Sequence, residues 1–314
     1  MDTEAWLSGG ARRSFFMRKT FRKLGPFVSA RREVSESGLP GASSAQTASP
    51  SYRLAFEDVD FLLRQDLRPI RLQLELLKPE LLQQQHGIKS TVAVFGSARI
   101  PSPERAQSVL GLAEEEARNR PKDRQAARRL AVARRMVANS RYYEEARRFA
   151  RIVTSTCAGE HVCDFVVKTG GGPGIMEAAN RGADDIGGKS IGLNIVLPME
   201  QEPNSYITPD LCFRFHYFAI RKMHFLTRSK ALVVFPGGFG TLDELFEAAT
   251  LIQTGKIEPI PILLFGREYW ERVINIDAMI NEGMVAPEDK SIFTFVETAE
   301  EAWNYIADFY RLPK

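Results

Sequence analysis

Short apolar runs alternate with longer segments of helical periodicity along most of the chain. Each run is rich in Val, Ile, Leu and Phe, a pattern typical of strands that are buried on both faces of a sheet. Repeated alternation of such strands with helices predicts an α/β fold: a Rossmann-like, doubly wound parallel sheet with helices on both faces. The predicted strands are Thr91–Phe95, Phe165–Lys168, Ile191–Leu197, Ala231–Phe235, Pro261–Phe265 and Ile292–Val296.

The first part of the chain has a different pattern. Residues 1–50 hold eight Lys and Arg against four Asp and Glu and end in a stretch rich in Gly, Ala and Ser, so we predict a disordered basic tail. Residues 51–88 place apolar side chains at helical spacing on both sides of Pro69, which predicts an N-terminal element of two helices. Residues 89–314 are predicted to form the Rossmann-like domain.

The segment 101–151 is long for one connection between strands and predicts an Arg-rich helical insertion. A nucleic-acid-binding face is one interpretation of its arginines, but Glu144 and Glu145 intervene and aromatic residues are sparse. A solvated amphipathic helix is the preferred interpretation, and we expect no nucleic-acid partner. The net charge of +3 is also too small to indicate one.

The composition, 44% hydrophobic and 26% charged, is ordinary for a globular protein. No apolar run reaches the length of a membrane span. The three cysteines include no Cys-x-x-Cys pair, which favours a reducing compartment such as the cytoplasm. The four histidines show no spacing typical of a zinc site.

The most informative segment is Pro-Gly-Gly-Phe-Gly-Thr-Leu-Asp-Glu, residues 236–244, between a predicted buried strand and a predicted helix. Glycines in such a turn let the backbone approach a phosphate, and the unpaired N–H groups of the first helical turn point at it. The segment also fits a capping box, in which Thr241 caps the helix and Glu244 bonds back to it. The competing hypothesis is that Glu244 is a reactive carboxylate beside a bound phosphate ester.

Two common nucleotide motifs do not fit this chain. A Rossmann fingerprint would need a third glycine where Asp243 stands, and a P-loop ending at Ser190 would need a glycine where Ala183 stands.

Glycines also follow two other predicted strands. Gly96 and Ser97 come after the first strand, and this pair suits a phosphate or ribose contact. Thr169-Gly-Gly-Gly-Pro-Gly follows the second strand. Because so many glycines cost more backbone entropy than a simple turn requires, we expect a ligand to approach this loop closely.

A predicted helix, Arg214–Arg228, precedes the strand that leads to the Pro236 segment. Phe215, Phe218 and Phe225 suit its buried side, whereas Arg221 lies on the other side. A guanidinium in this place either binds phosphate or holds Glu244 in a bidentate ion pair.

Three segments, Gly170–Glu177, Arg221–Lys222 and Pro236–Glu244, together resemble the LONELY GUY family, whose older label is lysine decarboxylase. The resemblance covers roughly residues 91–310. The form of the first segment and the N-terminal helices look closer to bacterial nucleoside 5′-monophosphate nucleosidases than to the short plant enzymes. The resemblance implies hydrolysis of the N-glycosidic bond of a purine (AMP-like) or cytokinin nucleoside 5′-monophosphate, with release of the free base and ribose 5-phosphate.

The resemblance also implies roles for individual residues. Arg221 and Glu244 correspond to the catalytic pair of the family, and an acidic ribose contact is expected at Glu200 or Glu202, both of which qualify. The predicted substrate and phosphate contacts are Gly96, Ser97, Gly171, Gly172, Glu200, Lys222, Gly237, Gly238, Gly240, Thr241 and Thr250.

The implied hydrolysis demands no metal and no organic cofactor. Decarboxylation of lysine would need a cofactor such as pyridoxal phosphate and its binding residues, which we do not identify here. We expect a small-molecule nucleoside monophosphate as the partner, and a homo-oligomer, dimeric or higher. Two alternatives stay open: a non-catalytic carrier of a phosphorylated cofactor such as the molybdenum cofactor, and a nucleotide sensor. The presence of both Arg221 and Glu244 favours the enzyme.

Overall fold

The computed structural model describes residues 29–36, 44–156, 164–198 and 202–312. It divides into two units, residues 1–63 and 64–314. In the first unit the described residues form helices α1 (Ala30–Glu36), α2 (Ala45–Ala48) and α3 (Val59–Leu62), with a 3-10 turn at Pro50–Tyr52. Most of the predicted basic tail lies outside the described residues.

The second unit contains a seven-stranded sheet in which all neighbouring strands are parallel. The strand order is β4-β3-β2-β1-β5-β6-β7, so the chain builds one half of the sheet outward from β1 and then the other half. The predicted fold is thereby confirmed. The strands are β1 (Thr91–Phe95), β2 (Val166–Thr169), β3 (Ser190–Ile195), β4 (Cys212–Phe215), β5 (Ser229–Val234), β6 (Ile262–Phe265) and β7 (Phe293–Val296).

Helices connect the strands and cover both faces of the sheet. Three of them, α5, α6 and α7, occupy the long connection between β1 and β2, where the sequence predicted an Arg-rich insertion. The helices of this unit are α4 (Arg68–Gln85), α5 (Pro103–Asn119), α6 (Arg124–Asn139), α7 (Arg141–Ser155), α8 (Ile175–Asp184), α9 (Phe218–Leu226), α10 (Phe239–Gln253), α11 (Arg267–Val273), α12 (Ile276–Asn281) and α13 (Ala299–Phe309). Short 3-10 helices lie at Gln65–Leu67, Pro209–Leu211 and Pro287–Ile292.

Alternate residues of each central strand enter two separate apolar cores. In β1, Val92 and Val94 pack in the core that includes side chains of α7, α8 and α13. Ala93 and Phe95 point to the opposite face and pack in the core that includes side chains of α9, α10 and α11. This period of two explains why the strands are continuous apolar runs rather than alternating ones.

The predicted helix Arg214–Arg228 begins too early. Cys212–Phe215 is an edge strand, β4, and the helix begins only at Phe218. Phe213 and Phe215 are buried while Arg214 between them is exposed, which is the period of a strand. Phe218, which was predicted to be buried, is 51% exposed.

A buried lysine connects the sheet to the end of α9. Lys168 on β2 is fully buried, and its Nζ donates hydrogen bonds to the carbonyl oxygens of His224 and Thr227, each at 2.7 Å. These carbonyls belong to the last turn and the C-cap of α9, where a helix has unpaired acceptors. Burial lowers the pKa of Lys168 to about 7. The lysine therefore fixes the helix that carries Arg221 against the strand that leads into the glycine loop.

This contact predicts a pH-dependent contribution to stability. The folded pKa of Lys168 is about 7, whereas an unfolded lysine titrates near ~10.4. Between these values the unfolded chain binds the extra proton, so the free energy of unfolding rises with pH. We expect Lys168→Met to lose this rise, so that wild type gains up to about 1.4 kcal/mol per pH unit over the variant. Urea unfolding at pH 7, 8 and 9 measures the difference. Lys256→Met, at an exposed position, is the control; parallel curves for wild type and Lys168→Met would contradict the prediction.

Candidate active site

Three loops meet at the carboxyl ends of β1, β2 and β5. β1 lies between the other two strands, so the chain order reverses there, and ligands of open α/β sheets bind at such a point. The loops are joined by backbone hydrogen bonds: Ser97 N donates to Pro236 O at 3.0 Å, and Ile175 N donates to Ser97 O at 3.2 Å. The three glycine-containing segments that the sequence singled out are therefore brought together.

The Pro236 loop leads directly into α10, whose N-cap is Gly238 and which has no side-chain cap. Thr241 lies inside the first turn and does not cap the helix, so the capping-box interpretation of Thr241 and Glu244 is wrong. A side chain at position 237 would collide with Thr241 Oγ1, whereas Gly238 and Gly240 face open space. The loop therefore leaves room for a ligand at the N-terminus of α10.

Much of the glycine content after β2 is explained by contacts within the protein. Gly171 and Gly174 have positive φ angles of 75° and 73°, which favour glycine. A Cβ on Gly170 would lie 2.8 Å from a guanidinium nitrogen of Arg221. These contacts account for part of the glycine content, and the close approach of a ligand to this loop stays a prediction.

Asn204 holds this glycine loop in place. Its Nδ2 donates to the carbonyl oxygens of Gly171 at 3.1 Å and Gly172 at 3.0 Å, and to Asn180 Oδ1 at 3.0 Å. Its backbone N donates to Gly171 O at 2.9 Å. With these carbonyls held by Asn204, the shape of the loop is fixed before any ligand arrives.

The segment after β1, Gly96 and Ser97, packs against the start of α8 and is also a predicted ligand contact. A Cβ on Gly96 would lie 2.6 Å from the Ile175 side chain, so glycine lets α8 begin close to β1. Ser97 Oγ accepts a hydrogen bond from Arg99 N at 3.0 Å. The hydroxyl group can still donate a hydrogen bond and accept a second one. Its role as a ligand contact stays a prediction.

The guanidinium group of Arg221, on α9, contacts a neighbouring strand and an aromatic ring. Its Nε donates to Leu193 O on β3 at 2.7 Å, and its guanidinium lies 4.9 Å from the ring centre of Phe225. Burial lowers its pKa, although Glu244 opposes that effect. The other guanidinium nitrogens remain as possible donors to an anion.

Glu244 lies on the buried side of α10 and is 7% exposed. Burial raises its pKa to about 7, with smaller increases from Glu247 and Asp243 and decreases from Arg221 and Lys222. Among the described residues no ion pair joins Arg221 to Glu244, so the bidentate contact considered from the sequence is not formed. Arg221 acts on this carboxyl group through its charge at a distance.

Lys222 already has two carboxylate partners on α10. Its Nζ lies 2.8 Å from Asp243 Oδ1 and 3.1 Å from Glu247 Oε2. A phosphate contact from this lysine would have to compete with both of them.

The remaining predicted contacts are Thr250 and the two acidic ribose candidates. Thr250 is exposed on α10 and lines an open groove of about 580 Å³ together with Asp243 and Glu247, the two carboxylate partners of Lys222. Phe239, Leu242 and Phe246 also line this groove. Glu200 lies outside the described residues, and Glu202 is exposed.

Sequence reasoning missed Asn204 and the two carboxylate partners of Lys222. In the segment around Asn204 the sequence indicated only the acidic ribose candidates Glu200 and Glu202. The spacing of Asp243 and Glu247, four residues apart, places them on one side of a helix, and this was the available signal.

Among the described residues, no cluster of His, Cys, Asp and Glu side chains is arranged to bind a metal ion. None of the helices in the described part of the chain has the length and apolar character to cross a membrane.

The fold and site define a class: an α/β protein with an open glycine loop at the switch point of a parallel sheet and a buried carboxyl group one turn beyond it. A family profile described as "Possible lysine decarboxylase" matches residues 176–306. Together with the relatives below, this match confirms the predicted resemblance to the LONELY GUY family.

Several plant enzymes are similar to this chain. Cytokinin riboside 5'-monophosphate phosphoribohydrolase LOG3 of Arabidopsis thaliana is 29% identical over 147 residues, which are 46% of this chain and 67% of that protein. The probable enzyme of the same name, LOG6, from the same plant is 29% identical, over 46% of this chain and 72% of that protein. For the probable enzyme LOGL3 of Oryza sativa subsp. japonica the identity is 31%, over 28% of this chain and only 43% of that protein.

Two solved structures match this chain at low similarity. The molybdenum cofactor binding protein of Rippkaea orientalis has a TM-score of 0.39 at 17% identity, over 54% of this chain and 88% of that one. The Moco carrier protein of Chlamydomonas reinhardtii has a TM-score of 0.41 at 15% identity, over 71% and 98% of the two chains. Likenesses at this level say nothing about the ligand of this chain.

The hydrogen bonds of Asn204 give a test of loop order. Asn204→Asp keeps the shape but replaces a donor with an acceptor that faces two carbonyl oxygens. We expect the free energy of unfolding at pH 8 to fall by about 1–3 kcal/mol, and the backbone amides of Gly170, Gly171, Gly172 and Gly174 to exchange faster. Urea unfolding and hydrogen exchange measure these changes. Asn304→Asp, exposed on α13, is the matched control; equal stability of the two variants would show that Asn204 does not hold the loop.

Proposed function

We propose that this protein hydrolyses the N-glycosidic bond of a purine or cytokinin nucleoside 5′-monophosphate and releases the free base and ribose 5-phosphate. The observation that carries the proposal is the position of Glu244, buried one turn beyond the open glycines of the Pro236 loop. A phosphate anchored at that loop brings the rest of a small ester within reach of this carboxyl group. The activity for which the plant relatives are named supports the same reaction class.

The chemistry of the reaction suits a carboxyl group with this environment. Cleavage of the bond develops positive charge on the ribose, as in sugar hydrolysis generally, and a nearby carboxylate stabilises that charge. The same carboxylate can accept a proton from the attacking water. A pKa of about 7 for Glu244 suits proton transfer near neutral pH, where a base is both partly ionised and basic enough.

The two cations of α9 have separate roles in this proposal. Arg221, held by Leu193 O, offers its remaining donors to the phosphate and favours the ionised form of Glu244 through its charge. Lys222 contributes a second positive charge from the next position of α9, on the side that faces α10. The phosphate is remote from the bond that breaks, so its binding energy positions the anomeric carbon.

The first prediction from this proposal concerns Glu244→Gln. We expect turnover to disappear, because an amide can neither accept the proton nor stabilise the developing cation as a carboxylate does. The fold should persist, since burial already disfavours the charged form of Glu244 and the amide removes that cost. Released base and urea unfolding are measured at pH 8.

Glu271→Gln, on the exposed side of α11, is the matched control and should keep full activity. Near-normal turnover by Glu244→Gln would overturn the assignment of Glu244. A loss of stability in that variant would mean that the carboxyl group serves the fold.

The second prediction concerns the phosphate anchor. Two charge-assisted hydrogen bonds, each worth about 1.5–3 kcal/mol, predict a kcat/KM for AMP at least ~100-fold higher than for adenosine. The experiment compares specificity constants for the two substrates, with and without a chelator, which should have no effect because no step is assigned to a metal.

Equal specificity constants would overturn the anchor, and inhibition by the chelator would show that a metal takes part. Tight binding of monophosphates without cleavage would favour the non-catalytic carrier instead.

A further inference from the structure

Lys222 lies in a cluster of five charged side chains on two helices. Arg221 and Lys222 come from α9, and Asp243, Glu244 and Glu247 come from α10. Lys222 Nζ contacts Asp243 Oδ1 at 2.8 Å and Glu247 Oε2 at 3.1 Å. The two carboxylates are four residues apart on one side of α10, so they flank the ammonium from successive turns.

This arrangement is partly shielded from water. The side chain of Lys222 is 19% exposed and that of Glu247 is 29% exposed, whereas Asp243 is 54% exposed. Glu247 Oε2 is buried and accepts no hydrogen bond from the described residues, so the ion pair with Lys222 is its polar contact. A pair with one buried oxygen is screened less than a surface pair, so breaking it has a measurable cost.

The same two carboxylates lie close in sequence to the open N-terminus of α10. Asp243 follows Gly238, the N-cap of α10, by five residues, and Gly238 and Gly240 face open space. A dianion at this helix end would attract Lys222 and would repel both Asp243 and Glu247. The lysine therefore has two competing sets of partners.

We propose that Asp243 and Glu247 are positioning residues that keep Lys222 bound in the empty site, and that a phosphate dianion draws the ammonium away from them. The ligand class rests on the proposed function, but the competition itself rests on the ion pairs. Phosphate affinity then includes the cost of breaking these pairs, which favours a dianion over a singly charged carboxylate ligand.

The exchange also reaches Glu244. The charged groups that act on this carboxyl group are Arg221 and Lys222 from α9 and Asp243 and Glu247 from α10. When Lys222 turns to the phosphate, Asp243 and Glu247 lose their counter-charge and the dianion adds negative charge. Both changes raise the pKa of Glu244, so phosphate binding takes up protons near pH 7.

Inorganic phosphate is the probe, and titration calorimetry at pH 7.5 in two buffers gives its affinity and the net number of protons exchanged. The protons that the phosphate monoanion releases when it binds as the dianion are subtracted from this number, and the remainder is the uptake by the protein. We expect Glu247→Gln to bind phosphate about tenfold more tightly than wild type, because Lys222 is then partly free. Asp243→Asn should act in the same direction and keeps the test available if Glu247→Gln fails to fold. Glu271→Gln is the matched control and should bind like wild type.

A double-mutant cycle separates competition for Lys222 from a general loss of negative charge. In the Lys222→Met background, Glu247→Gln should have little effect on phosphate affinity. Unchanged or weaker binding by both single carboxylate variants would overturn the inference, and so would an equal gain with and without Lys222.

The enzymatic proposal fails in a different way. If wild type cleaves no monophosphate while Glu247→Gln still binds phosphate more tightly, the competition stands and the nucleosidase does not. If AMP is cleaved and the carboxylate variants bind phosphate like wild type, the nucleosidase stands and the competition does not.

Discussion

Parallel pairing of β1 with both β2 and β5 is the constraint on which the rest of the site depends. Because the three strands run in one direction, the loops that follow them leave the sheet at one edge. Hydrogen bonds from Ser97 N to Pro236 O and from Ile175 N to Ser97 O then fix the distance between these loops. Gly96 permits this approach because no side chain separates it from Ile175. The open glycines of the Pro236 loop are thus placed by contacts made elsewhere.

Glycine has two different roles in these loops, and the presence or absence of neighbouring protein atoms distinguishes them. Gly170, Gly171, Gly174 and Gly237 are close to protein atoms that a side chain would strike, so they serve the packing of the loops. Gly238 and Gly240 have no such neighbours, so the space beside them is open to a ligand. The two cationic side chains of α9 differ in a similar way. Arg221 donates a hydrogen bond to a backbone carbonyl of the sheet, on β3. The partners of Lys222 instead lie on α10, the helix that begins at the open Pro236 loop.

Local pattern predicted the sheet well because strands buried on both faces leave continuous apolar runs; six of the seven strands were placed within a few residues. The exception, Cys212–Phe215, alternates between buried and exposed positions and adjoins a helix, so its period was assigned to that helix. In the site, the sequence indicated Arg221, Glu244 and the glycine loops as candidates. It could not indicate that Arg221 bonds to Leu193 O or that Asn204 holds the loop, because those contacts join residues 28 and 33 positions apart.

The buried amine of Lys168 makes the strand β2 and the helix α9 one mechanical unit. Two residues beyond it, the chain enters the glycine loop, and Gly170 of that loop packs against the guanidinium of Arg221 on the same helix. Redesign of α9 for a different ligand would therefore not be a local operation. Any shift of its last turn would be transmitted through the amine to the strand and the loop, so libraries that vary residues 218–227 should vary positions 168–171 together with them.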